Sequence, residues 1–177
     1  MLASGIPECR NGPRAPTPPL EALRTILSLA TTTTAERRPC LDPHSERRTQ
    51  ILLLDISRAY FNARKDEDDQ TFVDLPREDP QAGVLRARLL RHMYGTRGAA
   101  DGWQEEYSTT LVGLGFIQGL ASPCVFRHPV RSLDCTVHGD DFTTVGAKED
   151  LDWFEGEMAK HYEMTSGGRL GDRKSVV

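Results

Sequence analysis

The sequence predicts an α+β protein: an antiparallel sheet with helices packed on one face. Three observations carry that expectation. Ile51-Leu52-Leu53-Leu54 is a short continuous apolar run ending at Asp55, as a buried strand would be. Val137-His138-Gly139-Asp140-Asp141-Phe142 has the chemistry of a tight β-hairpin. Two stretches repeat large apolar residues at helical intervals, Trp103, Tyr107, Leu111 and Leu114, and then Leu151, Phe154, Met158 and Tyr162. Strands and helices alternating in this way favour a sheet with helices laid against it.

Taken in order, residues 1–19 hold prolines at 7, 13, 16, 18 and 19 and read as a disordered lead. Leu20, Leu23, Leu27 and Ala30 recur at helical spacing after Pro18 and Pro19, a position where proline is tolerated. The polar stretch from Thr31 to Gln50 reads as a loop. After the strand, Ser57 to Arg64 suits a short helix or turn, and Asp66 to Gln70 an acidic tip. Thr71 to Pro76 resumes strand chemistry and is ended by its proline. Val84 to Leu90 reads as a strand, with a helix as the alternative. Gly95 and Gly98 interrupt the pattern before a helix over about 99–114. Cys124 to Arg127, Leu133 to Val137 and Phe142 to Val145 read as strands, and a second helix spans Leu151 to Tyr162. Ser166 to Gly171 is expected to be a loop, so the domain is bounded at 20–165 with a tail over 166–177.

Composition sets limits. At 177 residues, with 38% hydrophobic and 27% charged residues, the chain fits one soluble globular domain or part of a larger one. No apolar run approaches the roughly 20 residues that cross a bilayer. The start lacks a basic region followed by an apolar stretch, so the expectation is an intracellular protein, cytoplasmic or nuclear, and not a secreted one. Cys9, Cys40, Cys124 and Cys135 show no C-x-x-C spacing and are expected as free thiols. The net charge of −4 runs against the basic surface usual in nucleic-acid binders. Local clusters offset it, at Arg37, Arg38, Arg47 and Arg48, and at Arg86, Arg88, Arg91 and Arg97.

The residues that can carry chemistry are acidic. A type II′ turn needs positive φ at its first central residue, which Gly139 supplies, leaving Asp140 and Asp141 at the tip. Adjacent anionic side chains at a sharp turn repel unless a cation lies between them, which points to a divalent metal. The same pair is also ordinary turn chemistry facing water. Asp55 is likewise ambiguous: an Asp between strand and helix is often an N-cap, yet strand carboxyl ends are where sheets place functional carboxylates. Brought together, the three make a site for hard divalent cations able to run phosphoryl or nucleotidyl transfer.

At this point the chain resembles the reverse transcriptase domain of copia-type long-terminal-repeat retrotransposons. Asp55-Ile56-Ser57-Arg58-Ala59-Tyr60-Phe61-Asn62 looks like the D-V-K-T-A-F-L-N-G block, and Thr71 to Pro76 like the V-Y-M-x-x-P strand. His92-Met93-Tyr94-Gly95 followed by Trp103 is similar to S-L-Y-G-L-K-Q-A-P-R-A-W. Leu114-Gly115-Phe116 with Ser122-Pro123-Cys124-Val125-Phe126 resembles L-G-F…S-D-P-C-L-F. Val137 to Asp141 stands where the family has Y-V-D-D, and Tyr162-Glu163-Met164 matches its F-E-M.

The resemblance implies a right-hand polymerase with palm and fingers. Asp55, Asp140 and Asp141 would hold two Mg²⁺ ions, with Mn²⁺ as a substitute. Tyr60 would lie under the incoming sugar and reject a ribose 2′-hydroxyl, and the backbone of Ile56, Ser57, Arg58 and Ala59 would help hold the triphosphate. Arg64 and Lys65 are candidates for phosphate contact. The implied partners are an RNA or DNA template with its primer, dNTPs, and the remainder of a Pol polyprotein (thumb, RNase H, integrase), with no membrane. There are departures. Gly98-Ala99-Ala100 replaces Q-A-P, His138 and Gly139 replace the residues before the Asp pair, and a thumb is expected to be missing after Val177. Two other readings stand beside polymerisation: a catalytically inactive retroelement remnant, and an unrelated Mg²⁺-dependent phosphohydrolase.

Overall fold

A computed structural model describes Pro18 and residues 20–30 and 49–170. The expected lead over 1–19 otherwise lies outside the described residues, as do most of the 31–50 loop with its arginine cluster, Cys9, Cys40, and residues 171–177.

The strand predicted at Ile51 runs as β1, Thr49–Ile56, and alternates strictly: Leu52, Leu54 and Ile56 are buried, while Ile51 and Leu53 are only half-buried. Burying each of those three side chains is worth about 1.5–3 kcal/mol. A short 3₁₀ turn, Ala59–Asn62, follows. β2, Phe72–Asp74, pairs antiparallel with β3, Arg86–Arg88, as a separate two-stranded ribbon, which settles the strand-or-helix alternative for that segment. α2 spans Ala99–Gly113, and then come β4 (Ile117–Gln118), β5 (Val125–His128), β6 (Leu133–His138) and β7 (Asp141–Ala147). α3, Lys148–His161, and β8, Met164–Leu170, complete the described chain. The main sheet has the order β4-β5-β6-β7-β1-β8 and is antiparallel throughout. The protein is therefore mixed α+β around an antiparallel sheet.

The predicted helical stripes form the core. Trp103, Tyr107 and Leu111 of α2 and Leu151, Phe154 and Met158 of α3 are buried against Leu52, Leu54, Ile56, Cys135, Val137 and Phe142. Cys124 and Cys135 form no disulfide and are buried, as small apolar side chains would be.

Three expectations need correction. Helices do not pack on one face only. Paired residues in an antiparallel ladder point the same way, so Asp134, Thr136 and Val145 face away from the α2–α3 core, and they are buried all the same. α1, Leu20–Ala30, runs against β7, β6 and β1 and covers this second face. Its inward stripe is also shifted: Ile26 is buried, whereas Leu20 and Leu27 are exposed. Finally, the stretch predicted as a loop from Ser166 is, through Leu170, the edge strand β8. A Cβ on Gly167 would come 3.2 Å from the Leu53 Cβ. The glycine that reads as a loop signal thus marks a close approach of backbone to a neighbouring strand.

Candidate metal centre

The register of two ladders builds the site. Asp141 pairs with His138 across the β6–β7 hairpin and with Asp55 across the β7–β1 ladder. The amide of Ile56 donates to the Asp140 carbonyl at 3.0 Å. That bond identifies Asp55–Asp141 as a non-hydrogen-bonded pair, the class in which facing Cα atoms come within about 4.5 Å and side chains stand closest. Both side chains project from the face opposite the α2–α3 core, and Asp140 joins them from the turn. Gly139 has φ +65°, and Asp140 is not among the positive-φ residues, which is the sign pattern of the II′ turn read from the sequence.

One carboxylate oxygen from each of Asp55, Asp140 and Asp141 lies within 4.8 Å of the others. Asp55 and Asp141 are exposed and Asp140 half-buried. Among the described residues no Lys or Arg forms an ion pair with any of them; Arg58, close by in the chain, pairs instead with Glu163. Desolvation, and then the charges of Asp140 and Asp55, hold the Asp141 carboxyl above the usual carboxylate range, with His138 pulling the other way. A cluster of oxygen donors with uncompensated mutual repulsion fits a hard divalent cation. These three aspartates can hold a metal ion.

The turn is anchored from beneath. Trp103 donates through Nε1 to the Gly139 carbonyl at 2.8 Å. Phe142, the next residue after Asp141, is buried among Trp103 and Tyr107, with ring centroids 6.5 and 5.7 Å away. Trp103 also packs edge-on against Tyr162, whose hydroxyl hydrogen-bonds Thr110 at 2.7 Å. The aromatic stripe expected as core is core, and it also sets the height of the carboxylate turn. Sequence spacing carried no sign of the Trp103–Gly139 bond.

The residues between Asp55 and Tyr60 are differently engaged. Ile56 and Ala59 are buried. The amides of Ile56 and Ser57 donate to the carbonyls of Asp140 and Glu163, so neither is free for a triphosphate. Arg58 has φ +53°, a left-handed conformation that a non-glycine residue holds at a cost. Tyr60, on the 3₁₀ turn, is half-buried, and its ring meets Tyr94 at 4.4 Å, a neighbour that sequence reasoning left unremarked. Arg64 lines an open cavity with Arg88 and Arg91, but Arg91 donates to the carbonyls of Phe61 and Asn62. The Lys65 side chain is buried and paired with Asp69, which takes it out of reach of a phosphate in this arrangement.

In comparison with known proteins, the chain matches no protein-family model and no curated sequence. Among the described residues no helix is long and apolar enough to cross a membrane.

Proposed function

We propose that this chain is the palm and fingers portion of a copia-type RNA-directed DNA polymerase, which transfers a deoxynucleotide to a primer 3′-hydroxyl. The observation that carries the reading is the convergence of Asp55, from a strand end, with Asp140 and Asp141, from a II′ turn, into one carboxylate cluster. Its partners are a primed RNA or DNA template, dNTPs and the remaining parts of a Pol polyprotein.

Asp55, Asp140 and Asp141 would hold two Mg²⁺ ions. When bound, Mg²⁺ lowers the pKa of the primer hydroxyl and offsets charge on the departing pyrophosphate. The chain's own contribution is placement. The non-hydrogen-bonded pairing brings Asp55 to Asp141 and the Trp103 bond fixes the turn. Tyr60, on the 3₁₀ turn five residues after Asp55, would meet the sugar of the incoming nucleotide. Preorganised groups of this kind need no rearrangement as charge develops.

The test is primer extension on an RNA template with dNTPs and Mg²⁺, with Asp140→Asn as control. Extension by the wild type that is lost in the variant supports the reading. A wild type that binds Mg²⁺ without extending a primer contradicts it and leaves a retroelement remnant that keeps only its metal site.

A further inference from the structure

Tyr60 sits on a four-residue 3₁₀ turn, too short to hold a side chain rigidly by backbone structure alone. What holds its ring is Tyr94, 34 residues away in the turn that the Thr96 amide closes by donating to the Met93 carbonyl. The two rings meet edge to face, with centroids 4.4 Å apart and planes at 84°. Tyr94 also touches Phe61 at 5.9 Å, so it grips the 3₁₀ turn at two consecutive positions. Yet Tyr94 is not core: it remains 46% exposed. Its position next to the metal cluster has an independent sign. Desolvation, and then the Asp140 charge, raise the affinity of its phenol for its proton, with smaller contributions from Tyr60 and Asp55, while a backbone hydrogen bond at Ala59 on the same turn works the other way. The Tyr94 phenol is therefore within electrostatic reach of the clustered carboxylates, while its ring contacts Tyr60.

We propose that Tyr94 is a positioning residue for sugar selection: its ring edge fixes the orientation of Tyr60, and with it the preference for a 2′-deoxynucleoside triphosphate over a ribonucleoside triphosphate. The inference rests on the polymerase reading for the role of Tyr60 and adds the residue that sets it. An exposed tyrosine beside another aromatic is more often plain surface packing. The two roles differ in what they predict: packing alone affects stability, whereas positioning affects discrimination between two ligands.

The experiment titrates Mg²⁺·dATP and Mg²⁺·ATP separately into the full chain bound to a chain-terminated primer–template, so that no turnover is needed. Wild type binds dATP more tightly than ATP. Tyr94→Phe, which keeps the ring edge and gives up only the hydroxyl contact at Ala59, retains most of that ratio. In Tyr94→Leu, which keeps apolar cover but no ring, and in Tyr94→Ala, the ratio falls by roughly two- to ten-fold, the range one aromatic edge contact can carry. Melting temperatures identify any variant whose fold is compromised, and the leucine variant is the one to read if alanine unfolds. An unchanged ratio in a folded Tyr94→Leu, or a wild type without preference, overturns the proposal. Primer extension run alongside separates the two claims: intact selectivity without extension counts against polymerisation and leaves the Tyr94 assignment standing.

Discussion

The indole Nε1 of Trp103 donates to the carbonyl of Gly139 at 2.8 Å, joining the α2 helix to the turn that carries two of the three clustered carboxylates. Trp103 is buried, and its ring also contacts Tyr107, Phe142 and Tyr162. Trp103→Phe keeps an aromatic and removes the donor. A lost hydrogen bond of about 1 kcal/mol and a smaller ring together lower stability by roughly 2 kcal/mol in urea unfolding. Mn²⁺ affinity falls with it, because the turn is released. A variant that loses stability but binds Mn²⁺ as before would show that the bond does not position the site.

Gly139 tests the turn from the backbone side. A Cβ there meets nothing within 4 Å, so space is not the obstacle. Its φ of +65° is. Gly139→Ala is expected to cost about 1–3 kcal/mol, because the first central position of a II′ turn is a backbone region that a residue with a Cβ occupies only under strain, and Gly139→Asn less, since Asn is among the residues such turns accept. Chemical denaturation of the two variants gives the order directly. Equal stability of alanine and glycine proteins is the contrary result.

Gly102 is the opposite case, a glycine required by a neighbour. A Cβ on it would come 2.2 Å from Nε2 of His92, whose ring is buried and whose amide donates to Ala63. Gly102→Ala should destabilise by about 1–3 kcal/mol through overpacking. In a His92→Ala background the same change should cost much less, and a double-mutant cycle measures that coupling. Additive effects would rule out the steric account.

The pH dependence follows from Asp141. Desolvation and the Asp140 and Asp55 charges raise its folded pKa above its unfolded value. A raised carboxyl favours folding while protonated, so this contribution is present at low pH and is lost as pH rises through the folded pKa. Without divalent metal at neutral pH, Asp141→Asn should therefore be more stable than wild type. Adding Mg²⁺ should reverse or narrow the difference, because only the wild type has the full donor set. Thermal melts at pH 7 with EDTA and with Mg²⁺ check both signs.

The site was legible in the sequence where local chemistry sufficed. Gly139-Asp140-Asp141 suits a II′ turn by its own chemistry, and the apolar run to Leu54 suits a buried strand ending at Asp55. What failed depended on distant partners. Ser166-Gly167-Gly168-Arg169 has loop composition, and only the adjacent Leu53 makes a glycine-bearing strand the better packing. For α1, Leu20 and Leu27 satisfy a helical period as well as Ile26 does, and only the face of β7 decides which stripe turns inward. The Trp103–Gly139 and Tyr60–Tyr94 contacts join segments 36 and 34 residues apart, beyond any periodicity. Lys65, a plausible phosphate ligand by charge alone, is instead buried against Asp69.

The most direct measurement is Mn²⁺ binding to the full chain, followed by electron paramagnetic resonance as free Mn²⁺ is taken up, for wild type and for Asp55→Asn, Asp140→Asn and Asp141→Asn. The account predicts uptake by the wild type, competed by Mg²⁺ and weakened at least about tenfold by each substitution, since every carboxylate supplies charge and a ligand atom to one cluster. Uptake indifferent to all three substitutions would place the metal elsewhere and contradict the account at its centre.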